Sequence, residues 1–392
     1  MRVAHLNSRL SGGGTDDQCV KLVAGLHRRG LNVRLAGPAE AELAKVARQL
    51  GVPFEGTPTE GALKLGFVLS AARLLRRERI DIVHGHHGRD LWPTILAARL
   101  SGVRPRIVLT RHLAKSPSSW PSRRFLLSHC DALIAVSSFV ARVLREGHYE
   151  PGSPERERRV RPPLLGDYSK IHVIHGGIDT ERFHPREVPA QRQEWRLEAG
   201  QFAFGVVGGY DLPRGKGQRE FLRAAAQMRQ HAPNARFLII GRGTLGPTLE
   251  QDIAQLGLSG VARLTPYCHD MPAAMNALDC LVHPQVGTEA FPGVVLEAFA
   301  CGRPVIASAL DGIPEAFGFG GRGQLVPAED IQALADAMTA QVHEPPLTAA
   351  ERQNLHQRIE RQCSVSVMAS KVFDLYQVLA PHSPRDKLTA QG

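Results

Sequence analysis

The sequence predicts an α/β chain of two doubly wound domains in tandem, and three observations carry that prediction. Its 392 residues are more than one core of ordinary size organises and suit two. Short apolar runs alternate with longer amphipathic ones, which is the pattern of a parallel sheet covered by helices on both faces. That alternation runs through twice, with a polar stretch between the two series.

In the first series, residues 2–6 read as a strand and 16–29 as a helix. The pair repeats at 33–36 and 39–50, then as a helix ending in LLRRER before the strand IDIVHGH. RIVLTRH (106–112) and ALIAVSS (132–138) continue it. The second series opens with FAFGVVGG at Phe202 and runs through ARFLIIG (235–241), VARLTPY (261–267), CLVHP (280–284) and PVIAS (304–308). Between them, IHVIHGGIDTERFHP (171–185) and the Gln-, Arg- and Glu-rich residues after it read as an interdomain connection, with the hinge within 177–198. The expected domains are thus 1–177 and 178–363. Residues 146–170, dense in Pro, Gly and charge, read as a mobile surface loop, and 381–392 as a disordered tail. Open parallel sheets bind ligands at the carboxyl ends of their strands, so two such sheets facing each other would enclose a cleft.

Composition narrows the ligand. With 48 Lys and Arg against 38 Asp and Glu the formal charge is +10, which favours anionic partners. The six cysteines are scattered with no close pair, so neither a zinc knuckle nor a disulfide framework is expected, and a reducing compartment fits. No export signal and no apolar run of membrane-spanning length is legible, so a cytoplasmic protein is expected.

Several motifs lie at expected strand ends. SGGGT (11–15) places bare backbone at the start of a helix, where amides and the helix dipole attract an anion. GRGTLG (241–246) imitates a dinucleotide fingerprint, but no acidic residue stands at the end of the next strand and Pro247 follows directly. GYDLPRGKG (209–217) fails as an NTPase loop, because its glycine spacing is one residue too long and Gly217 replaces the magnesium-binding hydroxyl. It still offers Arg214 and Lys216 as a clamp for a diphosphate. HGHH (84–87) lacks a partner at metal-ligand spacing, so strand-end histidines of a cleft are the better reading, and His112 is the stronger functional candidate.

The most informative stretch is GTEAFPGVVLEAFACGRPVIAS (287–308). Its apolar spacing and closing glycine predict a helix from Gly293 to Ala300, with Glu297 one turn in and Glu289 on the preceding loop. Backbone amides of Phe291 to Val294 would point outward at the helix start. Acceptor, donor amides and acceptor then match the hydroxyls, phosphates and ribose diol of a sugar nucleotide. The rival assignment makes Glu289 a capping acid and Glu297 a surface residue.

The Glu-seven-residues-Glu spacing, DGIPE (311–315), IHGGIDTERFHP and KGQREFLRAAA occur in order over nearly the whole chain. Together they resemble the retaining glycosyltransferases of family 4, with two Rossmann-like doubly wound domains facing across a cleft (GT-B). The resemblance implies no prosthetic group and no metal, and a nucleotide-diphosphate sugar (UDP- or GDP-sugar) as donor. By the same resemblance Glu297 would hold the ribose, Glu289 and the segment Phe291, Pro292, Gly293 and Val294 the donor sugar, and Lys216 with Arg214 the diphosphate. Gly13 and Gly14 would face the phosphate from the first domain, and His112 would lie beside the transferred sugar. His112, Lys216 and Glu289 are the expected catalytic residues, and a closing helix near 364–380 would rejoin the first domain. Two departures stand out: Gly208-Gly209 where members commonly have Gly-Arg, and the stretched segment 146–170.

The expected acceptor is a cell-envelope glycan or glycolipid such as a lipopolysaccharide core. Residues 113–127 place Trp120, Phe125 and Leu126 beside Lys115, Arg123 and Arg124, which suits an anionic membrane surface; a packed helix with a basic edge is the alternative. Nucleic acid is not expected, since the basic residues are scattered and stacking platforms are missing. The rival functions are a non-catalytic sugar-nucleotide-binding protein and a sugar-nucleotide epimerase on the same scaffold.

Overall fold

The computed structural model describes residues 1–58, 65–150, 159–265, 268 and 270–380. The chain forms two compact units: Met1–Gly177 together with the chain from Val365 onward, and Ile178–Ser364. The expected tail, 381–392, lies outside the described residues.

The first unit contains β1 (Arg2–Leu6), β2 (Asn32–Gly37), β3 (Phe54–Gly56), β4 (Ile82–Gly85), β5 (Arg106–Arg111), β6 (Ala132–Ala135), the short pair β7 (His148–Glu150) and β8 (Arg159–Arg161), and β9 (Ile171–Val173). Seven of these form one sheet in the order β3-β2-β1-β4-β5-β6-β9, with parallel neighbours throughout. The central strands are buried almost end to end, as expected where helices cover both faces. The helix Gly14–Arg28 follows β1 and packs on the helix Val365–Leu379. Gly25 makes that approach possible, since a Cβ there would come within 2.9 Å of Val365 and 3.1 Å of Ala369.

The second unit repeats the plan with β10 (Phe202–Val207), β11 (Ala235–Ile240), β12 (Ala262–Leu264), β13 (Cys280–His283), β14 (Val305–Ser308) and β15 (Gly323–Val326). These pair in parallel in the order β12-β11-β10-β13-β14-β15. In both sheets the order reverses beside the first strand, between β1 and β4 and between β10 and β13. At such a switch point consecutive loops leave in opposite directions and open a crevice at the carboxyl edge.

Two expectations need correction. The residues after 178 are not a free connection: Pro189–Glu194 is helical, Trp195 is buried in the core of the second unit, and Arg192 bonds Asp279 and the Ala277 carbonyl. Polar composition concealed one large apolar anchor. Nor is 146–170 simply a mobile loop. β7 and β8 pair antiparallel, Leu164 is buried, and the Lys170 ammonium caps the Leu127 and Cys130 carbonyls. Residues 151–158 lie outside the described residues.

The core of the first unit holds a group of buried imidazoles. His5 on β1 and His84 on β4 are neighbours in register, and His86 follows β4. His5 Nδ1 lies 2.8 Å from His86 Nε2, while His84 bonds the Tyr376 hydroxyl through Nδ1 and Thr110 Oγ1 through Nε2, each at 2.6 Å. Burial pulls His5 down to about 3 and, reinforced by mutual repulsion, holds His84 and His86 well below the ordinary histidine value. All three are therefore neutral in the folded protein.

Because the folded values lie below the unfolded ones, the stability contributed by these neutral rings is complete above about pH 6.5 and falls as the pH drops toward about 3. Urea unfolding at pH 7.5 and pH 5.0 should show a loss at the lower pH of roughly 2 kcal/mol for each histidine that stays neutral. Equal midpoints and slopes at the two pH values would contradict this.

Candidate functional site

The switch point of the second unit brings together the loop after β10 and the loop after β13. Gly217 ends the first of these loops with φ +87, and a Cβ there would stand 1.8 Å from the Pro284 carbonyl oxygen. Only glycine permits this approach, and it carries Lys216 across to the second loop. The Lys216 ammonium donates to Glu289 Oε2 at 2.8 Å.

Glu289 is held on every side. Its Oε1 accepts from the Ala290 amide at 3.1 Å, its own amide donates to Asp311 Oδ2 at 3.2 Å, and its carbonyl accepts from the Gly312 amide at 3.0 Å. Asp311 adopts φ 51, in the left-handed region that side chains rarely take. Burial pushes the Glu289 carboxyl up, but Lys216, His283 and its hydrogen bonds outweigh burial and hold it below the ordinary carboxylate value. The site thus contains an enclosed, ionised carboxylate whose ammonium partner sits on a partly exposed, flexible side chain.

His283, the last residue of β13, lies next to this pair. Neither of its ring nitrogens has a hydrogen-bond partner among the described residues, and burial lowers it to about 4 despite the attraction of Glu289. Gln285 Oε1 is likewise buried without one. Sequence reasoning passed over His283, although the strand-end rule that singled out His112 applies to it equally.

The helix Gly293–Ala300 forms with the predicted bounds. It starts from Pro292 without a side-chain cap, so Glu289 is not a capping acid. Phe291, Gly293, Val294 and Glu297 are partly buried, and Pro292 is buried. Arg214 stands apart from the Lys216–Glu289 pair: it is half exposed and reaches Glu329 on the loop after β15 at 3.5 Å. The GRGTLG turn packs tightly, since a Cβ at Gly243 would come within 2.4 Å of the Tyr210 backbone.

In the first unit, the glycine loop is exposed. Gly13 takes φ +90 before the helix Gly14–Arg28, and a Cβ at Gly13 or Gly14 would meet nothing within 4 Å among the described residues. Open space of this kind leaves the amides approachable. Buried Asp16 fixes the loop by accepting from Asn7 Nδ2 at 2.9 Å and from the Ser11 amide at 3.1 Å. Asp90 ties it to the loop after β4 through the Ser8 amide and hydroxyl, at 2.7 and 2.5 Å. Asn7, Asp16 and Asp90 carry no motif, which is why the sequence did not reveal them.

His112 follows β5, with Nε2 buried and unpartnered among the described residues; burial, helped by His87 and Arg111, lowers it to about 3. Among the described residues, His5, His84 and His86 are the one group whose ligand atoms lie close enough, within 4.8 Å, to hold a metal ion. His84 bonds Tyr376 and Thr110, and His5 Nδ1 faces His86 Nε2, while His5 Nε2 is buried without a hydrogen-bond partner among the described residues. Along 113–127, Leu113 is 51% exposed ahead of the helix Trp120–His129, and Trp120 at its start is 60% exposed, with Phe125 edge-on to Trp120 and Arg124 near the Phe125 ring. Leu126, expected on that surface, is instead buried in the core.

Residues 201–343 match the family model described as glycosyl transferases group 1, and residues 12–155 match that of glycosyltransferase family 4. The D-inositol 3-phosphate glycosyltransferase of Mycolicibacterium smegmatis is 28% identical over 85% of this chain and 80% of its own length. Among solved structures, HepE of Anabaena in complex with UDP and glucose superposes with a TM-score of 0.77 at 19% identity, covering 96% of this chain and 100% of that one. The lipopolysaccharide outer core galactosyltransferase WaaB gives 0.69 at 15% identity, over 96% and 99%. Two parallel-sheet units and the full-length superposition give this chain the GT-B fold, and a glycosyltransferase family model matched in each unit, with a glycosyltransferase relative aligned across both, supports that activity.

Proposed function

We propose that the protein is a retaining, metal-independent glycosyltransferase that moves a sugar from a nucleotide-diphosphate donor to a cell-envelope glycan or glycolipid. The observation that carries this reading is the Lys216–Glu289 pair at the carboxyl edge of the second sheet, beside the uncapped start of the helix Gly293–Ala300. Such a site offers a cation and helix amides to a diphosphate, and a carboxylate to sugar hydroxyls. Lys216 would stabilise the leaving diphosphate, a task that a side-chain cation and a helix dipole perform without metal. Glu297, one turn into the helix, would hold the ribose, and Glu289 with the backbone of Phe291 to Gly293 the donor sugar. In the first unit, Gly13 and Gly14 would approach the phosphate and His112 the transferred sugar. Arg214 would have to leave Glu329 to reach the diphosphate, which costs little because both side chains are about half exposed.

A UDP donor is supported by the UDP-bound HepE structure, and a lipopolysaccharide acceptor by WaaB. The M. smegmatis relative favours a second acceptor reading, a small phosphorylated polyol. A thermal-shift screen of UDP-, GDP- and ADP-sugars should raise the melting temperature with one base, since a ligand of the folded state stabilises it. Release of nucleotide diphosphate only when acceptor is added would separate transfer from binding alone and from epimerisation. Lipopolysaccharide core and inositol 3-phosphate are the acceptors to compare. No response to any donor would overturn the proposal.

Three outcomes follow. Glu297→Ala should weaken donor binding about ten-fold or more, the worth of a charge-assisted hydrogen bond, and unchanged affinity would remove it from the site. Lys216→Ala should lower kcat about a hundred-fold and also cost roughly 2–3 kcal/mol in urea unfolding, because Glu289 is left enclosed without its cation; full activity would exclude it. If residues 113–127 meet an anionic membrane from the cytoplasmic side, Trp120→Ala should reduce sedimentation with phosphatidylglycerol vesicles but not with phosphatidylcholine ones; equal sedimentation of variant and parent would refute that contact.

A further inference from the structure

The second unit has another cavity at the opposite end of its sheet. It measures about 600 Å³ and is bordered by the residues that enter the strands: Phe202 of β10, Asp279 before β13, Pro304 before β14 and Arg322 before β15. Because all six strands are parallel, this is the amino edge, away from Lys216 and Glu289 at the carboxyl edge.

Four arginines border this cavity: Arg192, Arg303, Arg322 and Arg352. Arg192 is fully engaged, donating to Asp279 and to the Ala277 and Gln201 carbonyls. The other three are not. Arg303 Nε, Arg322 Nε, and both Nε and Nη2 of Arg352 are buried with no hydrogen-bond partner among the described residues. Their acidic neighbours compensate them weakly. Asp279, already bonded to Arg192, stands 4.0 Å from Arg303; Glu344 stands 3.6 Å from Arg322; and Glu187, which pairs with Arg352 at 3.1 Å, has a side chain 86% exposed. Arg303 and Arg352 have side chains only 13% and 15% exposed, so they repel each other where water screens little. In line with this, burial and the neighbouring Arg352 bring Arg303 down to about 10. Buried guanidinium donors left without acceptors are costly, and an oxyanion supplies the acceptors together with the missing charge.

We propose that this cavity is a second anion site, which takes the phosphate group of a small metabolite. A phosphate presents three acceptor oxygens and close to two negative charges, enough for donors from three separate guanidiniums, whereas a carboxylate has two oxygens and one charge. The volume exceeds what a bare phosphate fills and leaves room for the rest of a small molecule. Nothing in the transfer reaction requires the site, so it holds whether or not the proposed donor chemistry does.

Inorganic phosphate is the probe, titrated calorimetrically at constant ionic strength set with chloride into the parent protein, Arg352→Gln, Arg322→Gln and Lys216→Ala. The parent and Lys216→Ala should bind phosphate alike, and each arginine variant should bind it about ten-fold more weakly, the loss of one charge-assisted hydrogen bond. Arg352 and Arg322 enter from different elements, so one variant remains informative if the other fails to fold. Weakened binding in Lys216→Ala with the arginine variants unchanged would assign phosphate to the carboxyl edge and overturn the proposal. So would equal binding by all four proteins, or no heat from the parent at millimolar phosphate.

Discussion

A parallel sheet delivers all its strand-to-helix loops to one edge, and only where the strand order reverses do two of those loops part to make room. This constraint organises the second unit. β10 and β13 are neighbours in the sheet but distant in sequence, and their following loops supply Lys216 and Glu289 respectively. The glycine at 217 converts that proximity into contact by letting one backbone lie against the other. The helix after the second loop then adds its amino end without a competing side-chain cap. Sheet order thus comes first, and the chemistry of the site is placed by it.

The electrostatics of this crevice are those of a site prepared to exchange partners. A carboxylate as enclosed as Glu289 depends on the cation beside it, while Lys216 retains solvent access and freedom to turn. A diphosphate arriving at the helix start would compete for the same ammonium. The carboxylate would then need new donors, which the hydroxyls of a bound sugar can provide. Under the proposed function, the two halves of a sugar nucleotide would each replace one half of the ion pair, so that a ligand bearing only one of them leaves a charge uncompensated.

Much of the architecture was legible because it is written in periodicity. The helix Gly293–Ala300 emerged with the expected bounds, since an apolar stripe ending in glycine has few other solutions. β3 and β15 were not foreseen: one has three residues, and the other is mostly exposed, so neither offers a run long enough to read. Trp195 escaped notice because a single buried indole does not change the polar character of its neighbourhood. For the candidate site, the sequence singled out residues that stand in motifs and passed over those that do not. Asp90 acts on Ser8 across 82 residues, a pairing that leaves no local trace, while Asn7, Asp16 and His283 stand in no recognisable motif.

The helix Val365–Leu379 belongs to the unit that begins at Met1, and Tyr376 bonds His84 in the middle of that unit's core. On the ribosome, the first half of the chain therefore emerges without the piece that covers Gly25 and its surroundings, and that apolar surface stays uncovered until the helix Val365–Leu379 has been made. The intervening half, Ile178–Ser364, is continuous and has no such dependence. Maturation order should consequently invert synthesis order, with Ile178–Ser364 settling first and the earlier-made unit awaiting the helix Val365–Leu379.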